Sequence, residues 1–253
     1  MDRACSPLVH ALRASPNFEP RRGKSRADML ILHYTGMMSA PRVVAWFADP
    51  ASKLSSHYVV DEVGHITQMV SERDRAWHAG VGSWVGETDI NSASIGIEIQ
   101  NPGHDLGYPD FSASQMAAVT ALSQDIIARN AIPATRVLAH SDVSPGRKID
   151  PGEKFDWRGL HASGVGHWVE PAPLDDADDG LCTGESGASI ARATELLARY
   201  GYGITPSPTL DAAGAKVVRS FQLHFRPARP DGRLDRSTLA TLENLVAAAE
   251  AVA

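Results

Sequence analysis

The sequence predicts an α/β domain, a central sheet covered by helices, followed by a small all-α domain of three helices. Three observations carry this. Short apolar runs alternate with helix-period patterns across residues 29–140. A stretch rich in Pro, Asp and Gly at 171–188 has almost nothing to bury. Three further helix-period segments follow it.

The first 28 residues are basic and broken by prolines. Met29-Leu30-Ile31-Leu32 then forms an apolar run ending in His33-Tyr34-Thr35-Gly36, which reads as a buried strand entering a loop. Residues 41–47 place Val43, Val44 and Phe47 at helical spacing after a proline suited to a first turn. Segments 56–60 and 65–70 read as two strands joined by a turn at Asp61-Glu62-Val63-Gly64. Residues 94–100 alternate, with Ile95, Ile97 and Ile99 on one face and Ser94, Gly96, Glu98 and Gln100 on the other. Residues 101–110 hold two prolines and two glycines and are a loop. Residues 114–130 are a helix with Met116, Val119, Leu122 and Ile126 as its stripe. Val137-Leu138-Ala139 is a short strand that delivers His140.

These patterns divide the chain at 1–170 and 189–253, joined by a linker at 171–188. The linker has too little apolar surface to fix its neighbours rigidly, so the two domains are expected to behave semi-independently. The alternative is that the tail packs on the first domain and stabilises it. In the tail, Ile190, Ala193 and Leu197 form one apolar stripe and Val217, Val218, Phe221 and Phe225 a second, capped by Thr209. Leu239, Leu242 and Val246 form a third, opened by Asp235 or Ser237.

Composition narrows the function classes. The chain has 253 residues, 43% of them hydrophobic and 21% charged, which describes a globular protein rather than a disordered one. The net charge of −6, with no long Lys/Arg run, argues against nucleic acid as a partner. No apolar run reaches the roughly 18 residues needed to span a bilayer. Pro7, His10 and Arg13 interrupt any signal-peptide core, so the expected location is cytoplasmic. Two distant cysteines, Cys5 and Cys182, exclude a disulfide framework, so a metal site must rest mainly on His, Asp or Glu.

Ten histidines are spread over the chain, and most sit in polar or loop surroundings. His33 and His140 differ because each ends an apolar run, where α/β domains place reactive groups. The loop 139–152 contains two Pro-Gly pairs whose turns bring Asp150 back towards His140, with Lys148 on the same side as Asp150. Two imidazoles and a carboxylate suit zinc with one position left open, the catalytic arrangement. Glu98 lies on the polar face of an apolar strand, where a solvated edge residue is the plainer reading.

His33 in Leu-His-Tyr-Thr-Gly, Ser94-Ile-Gly-Ile-Glu98, and His140 with Gly146-Arg-Lys148-Ile-Asp150-Pro-Gly together resemble the zinc amidases of the amidase-2 type, the N-acetylmuramoyl-L-alanine amidases. The resemblance covers about residues 25–170, including Ser55-Ser-His-Tyr-Val and Ala76-Trp-His-Ala-Gly. It implies a mixed sheet similar to that of T7-type lysozyme and the peptidoglycan recognition proteins. It implies one zinc per chain on His33, His140 and Asp150, Glu98 handling the proton of the attacking water, and Lys148 stabilising the oxyanion. Trp77 and His78 match a motif near the substrate groove. In the phage and animal branch a cysteine replaces the aspartate ligand and a tyrosine the glutamate. Asp150 and Glu98 therefore place this chain with the bacterial recycling amidases. The implied substrate is a peptidoglycan fragment, an (anhydro-)muropeptide cut between the lactyl group and L-alanine. The tail, through Leu196-Leu-Ala-Arg-Tyr-Gly-Tyr and Val218-Arg-Ser-Phe-Gln, is similar to a three-helix peptidoglycan-binding domain.

Two other readings compete. A non-catalytic muropeptide-recognition module of this fold lacks a metal ligand, and all three are present here. A zinc peptidase cutting within the stem peptide uses His and Asp ligands in a different motif order.

Overall fold

The computed structural model describes residues 3–251. A six-stranded mixed sheet forms the centre of the first unit, as expected. Its strands are β1 (Ala11–Leu12), β3 (Met29–Tyr34), β4 (Tyr58–Val60), β5 (Ile66–Gln68), β7 (Ser94–Ile99) and β8 (Val137–Ala139), in the order β1-β5-β4-β7-β3-β8. A separate antiparallel pair joins β2 (Phe18–Pro20) to β6 (Asp74–Ala76). Strands β4 and β5 pair antiparallel across the turn at Asp61, while β4, β7, β3 and β8 run parallel. Parallel strands need crossovers. The one between β7 and β8 is α3 (Ala113–Asn130), capped by Ser112 accepting from the Gln115 N–H and burying Val119, Leu122 and Ile126.

Shorter helices surround the sheet: α1 (Ala40–Ala48), α2 (Ile90–Ala93), α4 (His140–Val143) and α5 (Trp157–Ala162). Helix α1 has Pro41 in its first turn and buries Val43 and Phe47 against its own small apolar cluster with Val59 and Met69. Strand β7 departs from the alternation seen in its sequence. All six of its residues are buried, because it lies at the sheet centre and its polar face is roofed by His57 and His78 rather than water. A Cβ at Gly96 would stand 2.6 Å from the His78 ring, so only glycine lets that roof close.

The tail contains α6 (Ala188–Tyr200), α7 (Ala212–Phe225) and α8 (Arg236–Glu250). Asp211, not Thr209, caps α7, accepting from the Gly214 N–H; Asp235 caps α8, accepting from the Thr238 N–H.

The expected semi-independence does not appear, since one hydrophobic core runs through both units. The loop after β6 makes one part of the junction, and α4 and α5 make another against α7. Trp84 is fully buried, edge-on to Tyr200 at 5.8 Å and to Tyr202 at 4.9 Å. The Val85 N–H donates to the Gly201 carbonyl across the same junction. Residues 171–188 also lie along α8. Ser237 donates to the Ala172 carbonyl, Leu181 and Leu234 exchange backbone hydrogen bonds, and Arg236 pairs with Asp175 and Asp178. Their polar composition is satisfied by hydrogen bonds and ion pairs instead of burial, which is why composition alone reads as a loose connector. No helix among the described residues is long and apolar enough to cross a membrane.

Candidate metal centre and active site

Three adjacent parallel strands end at one sheet edge, the place where open α/β sheets hold their ligands. In register, His33 on β3 stands beside Glu98 on β7, and Leu32 beside Ala139 on β8, which sets His140 next to His33 at the start of α4. The following loop turns back at Gly146, in the left-handed region at φ 72°, and the Ser141 N–H donates to the Asp150 carbonyl. Asp150 thereby meets both imidazoles, as the two Pro-Gly pairs predicted.

Nδ1 of His33 and Nδ1 of His140 lie 2.9 Å apart, and Asp150 Oδ2 lies 3.2 Å from the first and 3.0 Å from the second. All three residues are buried.

The protons can be placed by following the outer hydrogen bonds. His140 Nε2 faces the Ala79 carbonyl at 2.9 Å, so it carries the proton and leaves Nδ1 as a lone pair. Ser94 donates its hydroxyl proton to the Ile90 carbonyl and therefore accepts from His78 Nε2. His78 Nδ1 is then the acceptor for His33 Nε2–H at 2.9 Å, and His33 Nδ1 is also a lone pair. Burial, with His140 adding to it, pushes the His33 imidazole down to about 4, so it stays neutral. Two lone pairs and a carboxylate thus face one point with no proton between the imidazoles. Tetrahedral zinc at about 2.0–2.1 Å from each atom would need donors about 3.3 Å apart, close to what is seen, so the residues fit a zinc ion.

Glu98 is 8% exposed, and its Oε2 has no hydrogen-bond partner among the described residues. Burial, reinforced by the Asp150 charge, raises its carboxyl well above the ordinary range, with Lys148 opposing. Glu98 is thus a buried base facing the cleft rather than a solvated edge residue. Lys148 lines the same cleft and has no ion-pair or hydrogen-bond partner for its Nζ among the described residues, whereas the neighbouring Arg147 is spent on the Val81 carbonyl and Ser144. The cleft holds about 530 Å³, with Tyr34, Trp46, Leu54 and Trp77 in its wall.

Trp77 sits in this wall, in keeping with a place near the substrate. His78 also lines the cleft, with both its ring nitrogens engaged inside the protein, by His33 and Ser94. It orients His33 and has no nitrogen left for substrate. Asn91 escaped sequence reasoning altogether. Its side-chain oxygen accepts the N–H groups of His78 and Ala79, fixing the backbone that orients both histidine ligands.

A buried His-His-Asp group that could hold a metal, with a carboxyl and an ammonium lining the same cleft, is the arrangement that metal-dependent hydrolases use. Residues 23–153 match the N-acetylmuramoyl-L-alanine amidase family (amidase-2), and this chain belongs to it; residues 186–242 match a peptidoglycan binding domain. The N-acetylmuramoyl-L-alanine amidase AmiD of Escherichia coli is 36% identical over 233 residues, 87% of this chain and 83% of that protein. The solved complex of E. coli AmiD with anhydro-N-acetylmuramic acid-L-Ala-D-gamma-Glu-L-Lys superposes with a TM-score of 0.74 at 35% identity, covering 93% of each chain. AmpDH3 from Pseudomonas aeruginosa in complex with an anhydromuramic pentapeptide gives a TM-score of 0.75 at 34% identity, over 90% of this chain and 94% of that one.

Proposed function

We propose that this amidase holds one zinc ion on His33, His140 and Asp150 and hydrolyses the amide between the lactyl group of a muropeptide and its L-alanine. The observation that carries this reading is the convergence of three unprotonated donor atoms whose outer partners fix the tautomers. The anhydro-muropeptides held by the two related structures support anhydro-muropeptides as the substrate class and peptidoglycan recycling as the role. The apolar wall of Trp46, Leu54 and Trp77 offers faces for the sugar ring and peptide methyl groups.

When bound, zinc supplies Lewis acidity and lowers the pKa of water at the open position. The chain's own residues do the rest. Glu98, desolvated beside Asp150, accepts a proton from the water whose oxygen attacks the lactyl carbonyl carbon. The Lys148 ammonium donates to the carbonyl oxygen as it becomes an oxyanion. Glu98 then returns its proton to the alanine nitrogen as the C–N bond breaks, leaving a lactyl carboxylic acid and a free α-amine, and the second water proton passes from that acid to the amine to give carboxylate and ammonium. His78 and the Ala79 carbonyl keep both imidazoles turned so that their Nδ1 lone pairs face inward.

Mass spectrometry of the products of a soluble anhydro-muropeptide tests the proposal. The expected pair is the sugar with a free lactyl carboxyl and the intact stem peptide, lost on chelation and restored by zinc. Cleavage within the stem peptide, or full activity in the chelated protein, refutes it.

A further inference from the structure

We propose that the helical tail is a positioning element of the metal centre: His224 and Tyr202 hold Asp142, and through it the short helix that presents His140. This rests on the zinc reading above and extends it to residues more than 50 positions beyond the last ligand.

Asp142 is completely buried two residues after His140, within the four-residue helix α4. A buried carboxylate demands donors, and this one has three. The Ala139 N–H donates to Oδ2 at 2.8 Å, His224 Nδ1 to the same oxygen at 2.6 Å, and the Tyr202 hydroxyl to Oδ1 at 2.7 Å. The first comes from the residue immediately before His140, and the other two come from the tail. The backbone on both sides of the ligand is thereby tied to α7 and to the turn after α6.

The clamp is rigid. The His224 ring is stacked on Trp157 of α5 at 3.7 Å and 26°, and on Phe225 at 3.8 Å and 9°. Lys216 of α7 packs its side chain against Gly146, in the loop leading to Lys148 and Asp150. The ring of His140 is referenced to the same unit by a second route. Its Nε2 donates to the Ala79 carbonyl, and Trp84, five residues further on, is held between Tyr200 and Tyr202.

Groups that orient a metal ligand typically change metal affinity or activity by about 10- to 100-fold when removed. The test uses the full-length protein and two variants that keep ring volume but lose a donor, Tyr202→Phe and His224→Phe. A third, His224→Asn, keeps an N–H near the Nδ1 position. Zinc Kd is measured by competition with a chromophoric chelator at a temperature where near-UV circular dichroism shows every variant folded. The rates kcat and KM are measured on a soluble anhydro-muropeptide. Both phenylalanine variants should weaken zinc by about tenfold or more and lower kcat with little change in KM, and His224→Asn should recover most of the affinity. A tail that only stabilises the fold would lower the melting temperature and leave zinc Kd untouched; that result overturns the proposal. Should His224→Phe fail to fold, Tyr202→Phe, which deletes a single oxygen atom, decides alone. The parent protein is titrated first: no zinc binding there defeats the reading of the site itself, whereas normal binding with unmoved variants defeats only the role of the tail.

Discussion

Glu98→Gln should make this protein more stable and nearly inactive at once. Glu98 is 8% exposed, one of its oxygens has no donor, and its charge lies in the field of the buried Asp150. Leaving a buried polar group without a partner costs about 1–3 kcal/mol, and a charge more. The amide has nearly the same shape and is equally unpartnered but uncharged, so in the metal-free protein the substitution should remove only the cost of the charge, about 1–3 kcal/mol at neutral pH. For a chain of this size that is roughly 2–10 °C in melting temperature. The pH dependence gives the sign. A carboxyl whose folded pKa is raised is held by the unfolded chain in its charged form first, so the parent loses stability as pH rises from the ordinary carboxylate range to the raised folded value. Below that range both states are protonated, and parent and variant should converge. The assay is thermal unfolding of chelator-stripped parent and variant across acid to neutral pH. A variant melting below the parent at pH 7.5, or a gap that fails to close on acidification, would refute the reasoning.

With zinc restored, the same variant should bind metal normally and lose about 10²- to 10⁴-fold in kcat, read from single-substrate kinetics. Lys148→Ala should also keep its zinc, measured by elemental analysis, while kcat falls about 10²- to 10³-fold; an unchanged rate removes Lys148 from the oxyanion role. His33→Ala removes one of three protein ligands, so its zinc content after dialysis should fall far below one per chain; stoichiometric metal would overturn the ligand set. Trp84→Ala empties the junction between the two units and should cost about 3–5 kcal/mol in urea unfolding, with a value under about 1 kcal/mol showing that the junction carries little stability.

The candidate metal ligands were legible because they ended patterns. His33 and His140 each close an apolar run, and the Pro-Gly pairs around Asp150 fold its loop back. Glu98 was ambiguous from residues alone, since alternation suggests a wet face. The strand proved central, with imidazoles over that face, and no local pattern encodes which residues roof a strand. Strands β1, β2 and β6 are two or three residues long and lie in the proline-broken basic stretch or on charged residues such as Asp74 and Arg75, so no apolar run marks them. The contacts of Asp142 with Tyr202 and His224 span 60 and 82 residues, so they exist only in three dimensions. The stretch 171–188 misled for a related reason: hydropathy counts buried carbon and is blind to the backbone bridge at Leu181 and the carboxylates matched to Arg236.

The buried indole at the junction sets a limit on portability. Wall-binding tails invite exchange, since a catalytic unit given a different tail would be directed to a different polymer. Here such a graft would strip Trp84 of both tyrosine neighbours and leave a large apolar face in water, a site of self-association. A transplantable version of this enzyme must therefore either carry the turn holding Tyr200 and Tyr202 with it or replace Trp84 by a polar residue beforehand.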